Sequence, residues 1–247
     1  MTPLLEVRGL RKEYSSFSLG PVSFSVDAGS IMGFIGRNGA GKTTTLKSIL
    51  NIVHPTGGEI RYFGMDLRGN ERAVKQRVGF AGGAVDYYPR KRIADILAVT
   101  GRFYENWDEA ALRKYLDAFS IDPAKTPREL SEGMKVKLNL AMALSHRAEL
   151  LILDEPTSGL DPVSREELLD IFGYLRDQGA AILFSTHITS DLDKCADHIT
   201  YIRQGQLISS GRLDTFLEEH RRQGTGNDLE EIMVHYEKED FSEKLAD

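Results

Sequence analysis

Gly36-Arg37-Asn38-Gly39-Ala40-Gly41-Lys42-Thr43 is the stretch that most restricts what this chain can become. It follows the apolar run Ile31–Ile35, which reads as a strand, and precedes residues 44–53, which read as a helix. The pattern G-x-x-x-x-G-K-[ST] between a strand and a helix marks a loop that wraps a phosphate chain. Its glycines let backbone N–H groups turn inward with no Cβ in the way. Those amides, together with the positive end of the following helix, form a concave anion site. Lys42 adds a point charge for β- and γ-phosphates, and the Thr43 hydroxyl is a ligand for Mg²⁺. A glycine-rich turn that happens to precede a lysine does not account for Gly41 set directly before Lys42, Thr43 and Thr44. The stretch implies a bound nucleoside triphosphate.

The rest of the chain supplies the sheet this loop needs. Leu5-Glu6-Val7-Arg8 and Val22-Ser23-Phe24-Ser25-Val26 alternate apolar and polar residues, as half-buried antiparallel strands do. Residues 59–63 read as another short strand after Thr56-Gly57-Gly58. From about residue 93 to 147 the period becomes helical, with Leu112, Tyr115, Leu116 and Phe119 on one face and Leu138, Leu140, Ala141 and Leu144 on another. Leu150-Leu151-Ile152-Leu153 and Ala180-Ala181-Ile182-Leu183-Phe184 are continuous apolar runs, typical of parallel strands covered on both faces. A helix over 163–176 lies between them. Strand–helix–strand alternation predicts an α/β sheet with a helical lobe inserted near residues 85–148. Residues 198–203 and 206–209 read as a hairpin around Gln204-Gly205. Beyond residue 212 a helix and then a polar, partly mobile tail are expected.

Three further sites carry chemistry. The run Leu150 to Leu153 ends in Asp154-Glu155, and ligands of open α/β sheets sit at the carboxyl ends of strands. Asp154 is placed to hold Mg²⁺ beside Thr43, and Glu155 to orient or deprotonate an attacking water. Taken alone, the same residues are a strand ending in a solvated acidic turn. Phe184-Ser185-Thr186-His187 repeats the geometry with a histidine, whose imidazole is placed to donate to a γ-phosphate. Leu130-Ser131-Glu132-Gly133-Met134 starts a helix with Ser131 as N-cap and exposed backbone donors for an anion.

Composition narrows the rest. A formal net charge of -6 argues against a general nucleic-acid binder, which needs a basic stripe. The single cysteine, Cys195, excludes an internal disulfide and reads as a buried helix residue. No apolar run approaches the roughly 20 residues that span a bilayer, and Met1-Thr2-Pro3-Leu4-Leu5-Glu6 has no basic and apolar leader pattern. A cytoplasmic location follows as the expectation, with any membrane role exercised through a partner.

The order phosphate loop, Leu130 to Met134, apolar-Asp154-Glu155, Ser158-Gly159-Leu160-Asp161, Thr186-His187 resembles the nucleotide-binding domain of ABC transporters. The likeness runs from about residue 5 to residue 211 and is closest to the export-type ATPase subunits that serve a separate membrane subunit. It implies a P-loop NTPase (RecA-like) α/β core with an N-terminal antiparallel β-subdomain and an inserted α-helical subdomain. The implied segments are 1–84 with 149–211 for the core, 85–148 for the helical part and 212–247 for a C-terminal helix and tail. It also implies ATP and Mg²⁺ as ligands, with Gly36, Arg37, Asn38, Gly39, Ala40, Gly41, Lys42, Thr43 and Thr44 on the phosphates. Tyr14, with Phe17 as the alternative, matches the adenine-stacking aromatic. Lys42, Glu155 and His187 match catalytic positions. Ser131 and Gly133 match the signature segment that caps the nucleotide of a second ATP-binding subunit, identical or paralogous, and Asp161 matches the loop crossing the same interface. The implied location is the inner face of the cell membrane, through a polytopic partner.

Two departures from the family pattern stand out. Glu132 replaces a glycine and Met134 a glutamine in the signature, with Lys135 and Lys137 placed to offset the added carboxylate. Gly83 stands where a glutamine normally senses Mg²⁺ and water, and Asp86 is the nearest replacement. The competing assignment is a soluble ABC ATPase that moves no solute, of the iron–sulfur assembly type.

Overall fold

A computed structural model describes residues 2–82 and 88–246, with side chains through residue 238; Gly83 and Asp86 lie outside the described residues. Two sheets organise the chain. The first has order β2-β1-β4-β5, built from β1 (Leu5–Glu13), β2 (Ser18–Val26), β4 (Gly57–Tyr62) and β5 (Met65–Asp66). Its pairings are all antiparallel. The alternation predicted for β2 is realised: Leu19, Val22, Phe24 and Val26 point inward while Ser23 and Ser25 face solvent.

The second sheet has six strands in the order β10-β9-β3-β8-β7-β6. They are β3 (Ile31–Ile35), β6 (Val78–Gly82), β7 (Leu150–Asp154), β8 (Ala181–Thr186), β9 (His198–Arg203) and β10 (Gln206–Arg212). All neighbours are parallel except the β9–β10 hairpin. Every residue of β3, β7 and β8 is buried, as continuous apolar runs require when both faces are covered. β6, not anticipated as a strand, closes the sheet beside β7; its Gly79 and Gly82 leave a weak strand pattern.

Helices cover both faces. Between the sheets α1 (Lys42–Ile49) contributes Leu46 and Ile49, which pack with Leu5, Val7, Phe34, Ile152 and Leu183. The preceding and connecting turns include α2 (Glu71–Lys75). On the opposite face lie α6 (Pro162–Asp177), α7 (Thr189–Cys195), α8 (Leu213–Gln223) and α9 (Leu229–Ala246). They bury Leu168, Phe172, Leu192, Phe216 and Ile232 against Ile182, Phe184 and Ile199. Each such side chain contributes about 1.5–3 kcal/mol of hydrophobic stabilisation.

A third cluster belongs to α3 (Ile93–Gly101), α4 (Glu109–Ala118) and α5 (Glu132–Ser145), where Ile93, Leu97, Leu112, Leu116, Leu130 and Leu138 meet. α4 starts where Asp108 accepts from the amides of Ala110 and Ala111, a cap worth about 1 kcal/mol.

The expected polar tail is, over its first part, a packed helix. Leu229 and Ile232 of α9 are both 1% exposed, and Tyr236 reaches Tyr201 and His220. The spacing Leu229, Ile232, Met233, Tyr236 is a helical i, i+3, i+4, i+7 stripe, a signal outweighed by the acidic composition around it.

Candidate functional site

Strand register brings the separate motifs to one edge. Ile35 pairs with Thr186, and Asp154 pairs with Ser185, so β3, β7 and β8 end level with one another. The phosphate loop, Glu155 and His187 therefore leave the sheet side by side.

The loop itself has the form a phosphate cradle needs. Gly41 precedes α1 at φ +109, a left-handed conformation that L side chains rarely adopt. No side chain caps α1 and no acidic residue lies in its first turn, so its amides and positive dipole end remain available to an anion. Arg37, Asn38 and Gly39 are exposed, Thr43 is exposed, Thr44 is half-buried, and Gly36 and Ala40 are buried. Lys42 is buried, and its Nζ donates to the Gly36 carbonyl at 2.6 Å and the Arg37 carbonyl at 3.2 Å.

Lys42 also faces Glu155. The Nζ–Oε1 separation is 3.0 Å, but the contact is an ion pair without hydrogen-bond alignment, leaving buried Oε1 with no directed donor. The other oxygen, Oε2, lies 2.8 Å from His187 Nδ1. Glu155 itself has φ +52, an uncommon conformation for a residue with a side chain. A carboxylate shared between a lysine and an imidazole is suited to give up the lysine when an anion competes for it. The residues fit a triphosphate: open amides, a buried cation and no fixed acid in the cradle. Thr43 and Asp154 are a hydroxyl and a carboxylate, the oxygen donors that hard divalent ions take.

Asp154 is held by a residue not singled out from the sequence. The buried Ser185 hydroxyl donates to Asp154 Oδ1 at 2.6 Å and accepts from the Glu155 amide at 2.9 Å. Its signal was its place at the end of the β8 run, directly before Thr186-His187.

Ser131, Gly133 and Asp161 form a second group. Ser131 caps α5, accepting from the Met134 amide at 3.2 Å. Gly133 is buried, and a Cβ built there would stand 3.4 Å from Leu160 and 3.6 Å from Ser164. Asp161 caps α6 by accepting from the amides of Val163 and Ser164. Donation from Ser164, first from its hydroxyl and then its amide, holds the Asp161 carboxyl below the usual carboxylate range. Glu132 pairs with Lys135 at 2.6 Å. Lys137 does not share this task, because it is bonded to Glu167 at 2.6 Å.

Tyr14 and Phe17 stand together, ring centroids 6.4 Å apart. Tyr14 is exposed, with Lys12 Nζ 5.1 Å above its ring. Phe17 lies against the phosphate loop, 3.1 Å from a Cβ built at Gly41. A further contact escaped the sequence reading: Arg37 pairs with Glu237 of α9 at 3.2 Å.

Comparison with known proteins agrees with this layout. Residues 19–158 match the family model described as "ABC transporter". The chain is 32% identical over 226 residues to the bacitracin transport ATP-binding protein BcrA of Bacillus licheniformis, covering 90% of this chain and 74% of that protein. It is 33% identical over 220 residues to the Nod factor export ATP-binding protein I of Burkholderia lata, covering 87% and 72%. A solved structure described as an ATP binding subunit of an ABC transporter superposes with TM-score 0.82 at 30% identity, over 94% of this chain and 98% of that one. That likeness extends to the α/β phosphate-loop fold with its antiparallel sheet. With the phosphate loop, the Asp154-Glu155 strand end and His187 gathered on one sheet edge, and with relatives matched along most of its length, the chain belongs to the ABC transporter family, among its ATP-binding subunits.

Proposed function

We propose that this chain hydrolyses ATP to drive a separate membrane subunit, in the direction of export. The observation that carries the reading is Glu155, held at the end of β7 between Lys42 at 3.0 Å and His187 at 2.8 Å. A triphosphate in the loop competes with Glu155 for Lys42 and frees the carboxylate to orient water in line with the γ-phosphate. Lys42 and the loop amides neutralise the charge that develops on the phosphates. His187 donates to the γ-phosphate. Bound at Thr43 and Asp154, Mg²⁺ would supply further positive charge to the phosphate oxygens.

Two copies, identical or paralogous, close over two nucleotides, with Ser131 and Gly133 of each capping the γ-phosphate held by the other. Asp161 lies in the loop that crosses between them. Loss of the γ-phosphate removes the contact that favours the closed state, so hydrolysis opens the pair. In this reading residues 1–84 and 149–211 form the ATP-binding core, 85–148 the helical lobe that meets the membrane subunit, and 212–247 a C-terminal extension. Among the described residues no helix is long and apolar enough to cross a membrane, which suits a subunit held at the inner face by its partner. The relative named for Nod factor export supports the export direction.

Glu155→Gln tests the reading. The expected result is a dimer in saturating MgATP, seen by analytical ultracentrifugation, with phosphate release reduced by at least a hundredfold, on the order of a missing catalytic base. Turnover at the parent rate would remove Glu155 from its role.

A further inference from the structure

Asp191 is a buried carboxylate that the reading above does not use. It is 1% exposed and sits in the first turn of α7, four residues beyond His187. Its Oδ1 lies 4.0 Å from Arg165 Nε. Neither Arg165 Nε nor Asp191 Oδ2 has a hydrogen-bond partner among the described residues. Arg165 belongs to the first turn of α6, where its amide donates to the Asp161 carbonyl at 3.0 Å.

The carboxylate is buried while the Arg165 side chain is 31% exposed, and such a pair is a poor source of stability, because desolvating the carboxylate offsets most of the attraction. A pair of apolar side chains would join α6 to α7 at lower cost. What charges add is a distance requirement: the buried carboxylate is compensated only when the two first turns lie close together. Those turns lead directly out of the two loops of interest. On one side, His187 is followed by Ile188, whose amide donates to Thr186 Oγ1 at 2.9 Å, and then by the turn ending in Asp191. On the other, Asp161 caps the helix that carries Ser164 and Arg165, and Leu160 and Ser164 lie against Gly133.

We propose that Arg165 and Asp191 are a positioning pair that registers the His187 loop against the Asp161 loop, so that the imidazole meets Glu155 only when α6 is seated. The proposal rests on the roles given above to His187 and Asp161. A displacement of about 1 Å at a reacting group costs on the order of a hundredfold in rate, so loosening the pair acts on turnover rather than on nucleotide affinity. The affinity resides in the phosphate loop, which the pair does not touch.

The test uses the full chain with Arg165→Ala, Arg165→Lys and Asp191→Asn, scored by kcat, by the Kd for a fluorescent ATP analogue and by the His187 side-chain NMR resonances, assigned through a His187→Gln control. Expected for Arg165→Ala are a fall in kcat of about tenfold to a hundredfold, an unchanged Kd and shifted His187 resonances. Arg165→Lys restores both kcat and the resonances, since a monodentate contact needs a cation and not a guanidinium. Unmoved His187 resonances in folded Arg165→Ala would overturn the proposal. So would a joint loss of kcat and affinity that Arg165→Lys does not repair, which marks a merely structural role. If the parent chain hydrolyses no ATP, the functional reading fails, while the His187 resonances still decide whether the pair positions the imidazole.

Discussion

Removing one hydroxyl, Ser185→Ala, tests how the carboxyl edge of the sheet is held. Ser185 is 0% exposed, so water does not replace what is lost. Its Oγ makes two bonds, one to Asp154 Oδ1 at 2.6 Å and one from the Glu155 amide at 2.9 Å. The amide retains a second acceptor, the Ser185 carbonyl at 3.2 Å, so its loss is minor. Asp154 loses a donor to a buried charge, which costs about 1.5–3 kcal/mol. For a chain of this size each kcal/mol moves the melting point by about 2–4 °C, and the expected drop is roughly 3–12 °C. The assay is thermal unfolding by circular dichroism without nucleotide, with exposed Ser16→Ala as control. A double-mutant cycle with Asp154→Ala isolates the pair: Ser185→Ala should cost little once Asp154 is gone. The same drop in that background, or a drop below about 1 °C in the parent, would refute the assignment of Ser185 as the anchor of Asp154.

Two further outcomes follow from packing and burial. Leu183→Ala, at a fully buried position of β8 between the two sheets, should destabilise by about 2–5 kcal/mol, measured by urea unfolding, whereas Val234→Ala on the exposed side of α9 should fall within about 0.5 kcal/mol. Burial pushes the Cys195 thiol up to about 12 from an ordinary value of 9.0. The folded thiol therefore resists maleimide at neutral pH until urea unfolds the chain. Because the unfolded thiol ionises near pH 9 while the folded one stays protonated, the Cys195 contribution to stability falls as pH rises between those values, a slope that Cys195→Ala should remove.

The local parts of the site were legible in the residues because each is written in one short segment. Gly36 to Thr43 announces its loop, and Leu150 to Glu155 announces both a central strand and the carboxylates at its end. Strand order and register were not readable, since they depend on pairings between residues far apart, such as Ile35 with Thr186. For the same reason the Lys42–Glu155–His187 string appears only in three dimensions, although each member was anticipated. Ser185 hid inside an apolar run whose period says nothing about which residue turns toward Asp154. Lys137 looked like a counter-charge for Glu132 by spacing alone, but its side chain leaves α5 toward Glu167 on α6. α9 was obscured by composition: the acids around Leu229 and Ile232 read as a solvated tail, and only the neighbouring helices reveal an apolar seat for one stripe of it.

The Arg37–Glu237 contact ties α9 to the phosphate loop. From Glu237 the helix runs on to Ala246, a reach of about 14 Å at 1.5 Å per residue. A fluorophore attached near residue 246 would thus sit within energy-transfer range of a dye on a nucleotide held by the phosphate loop.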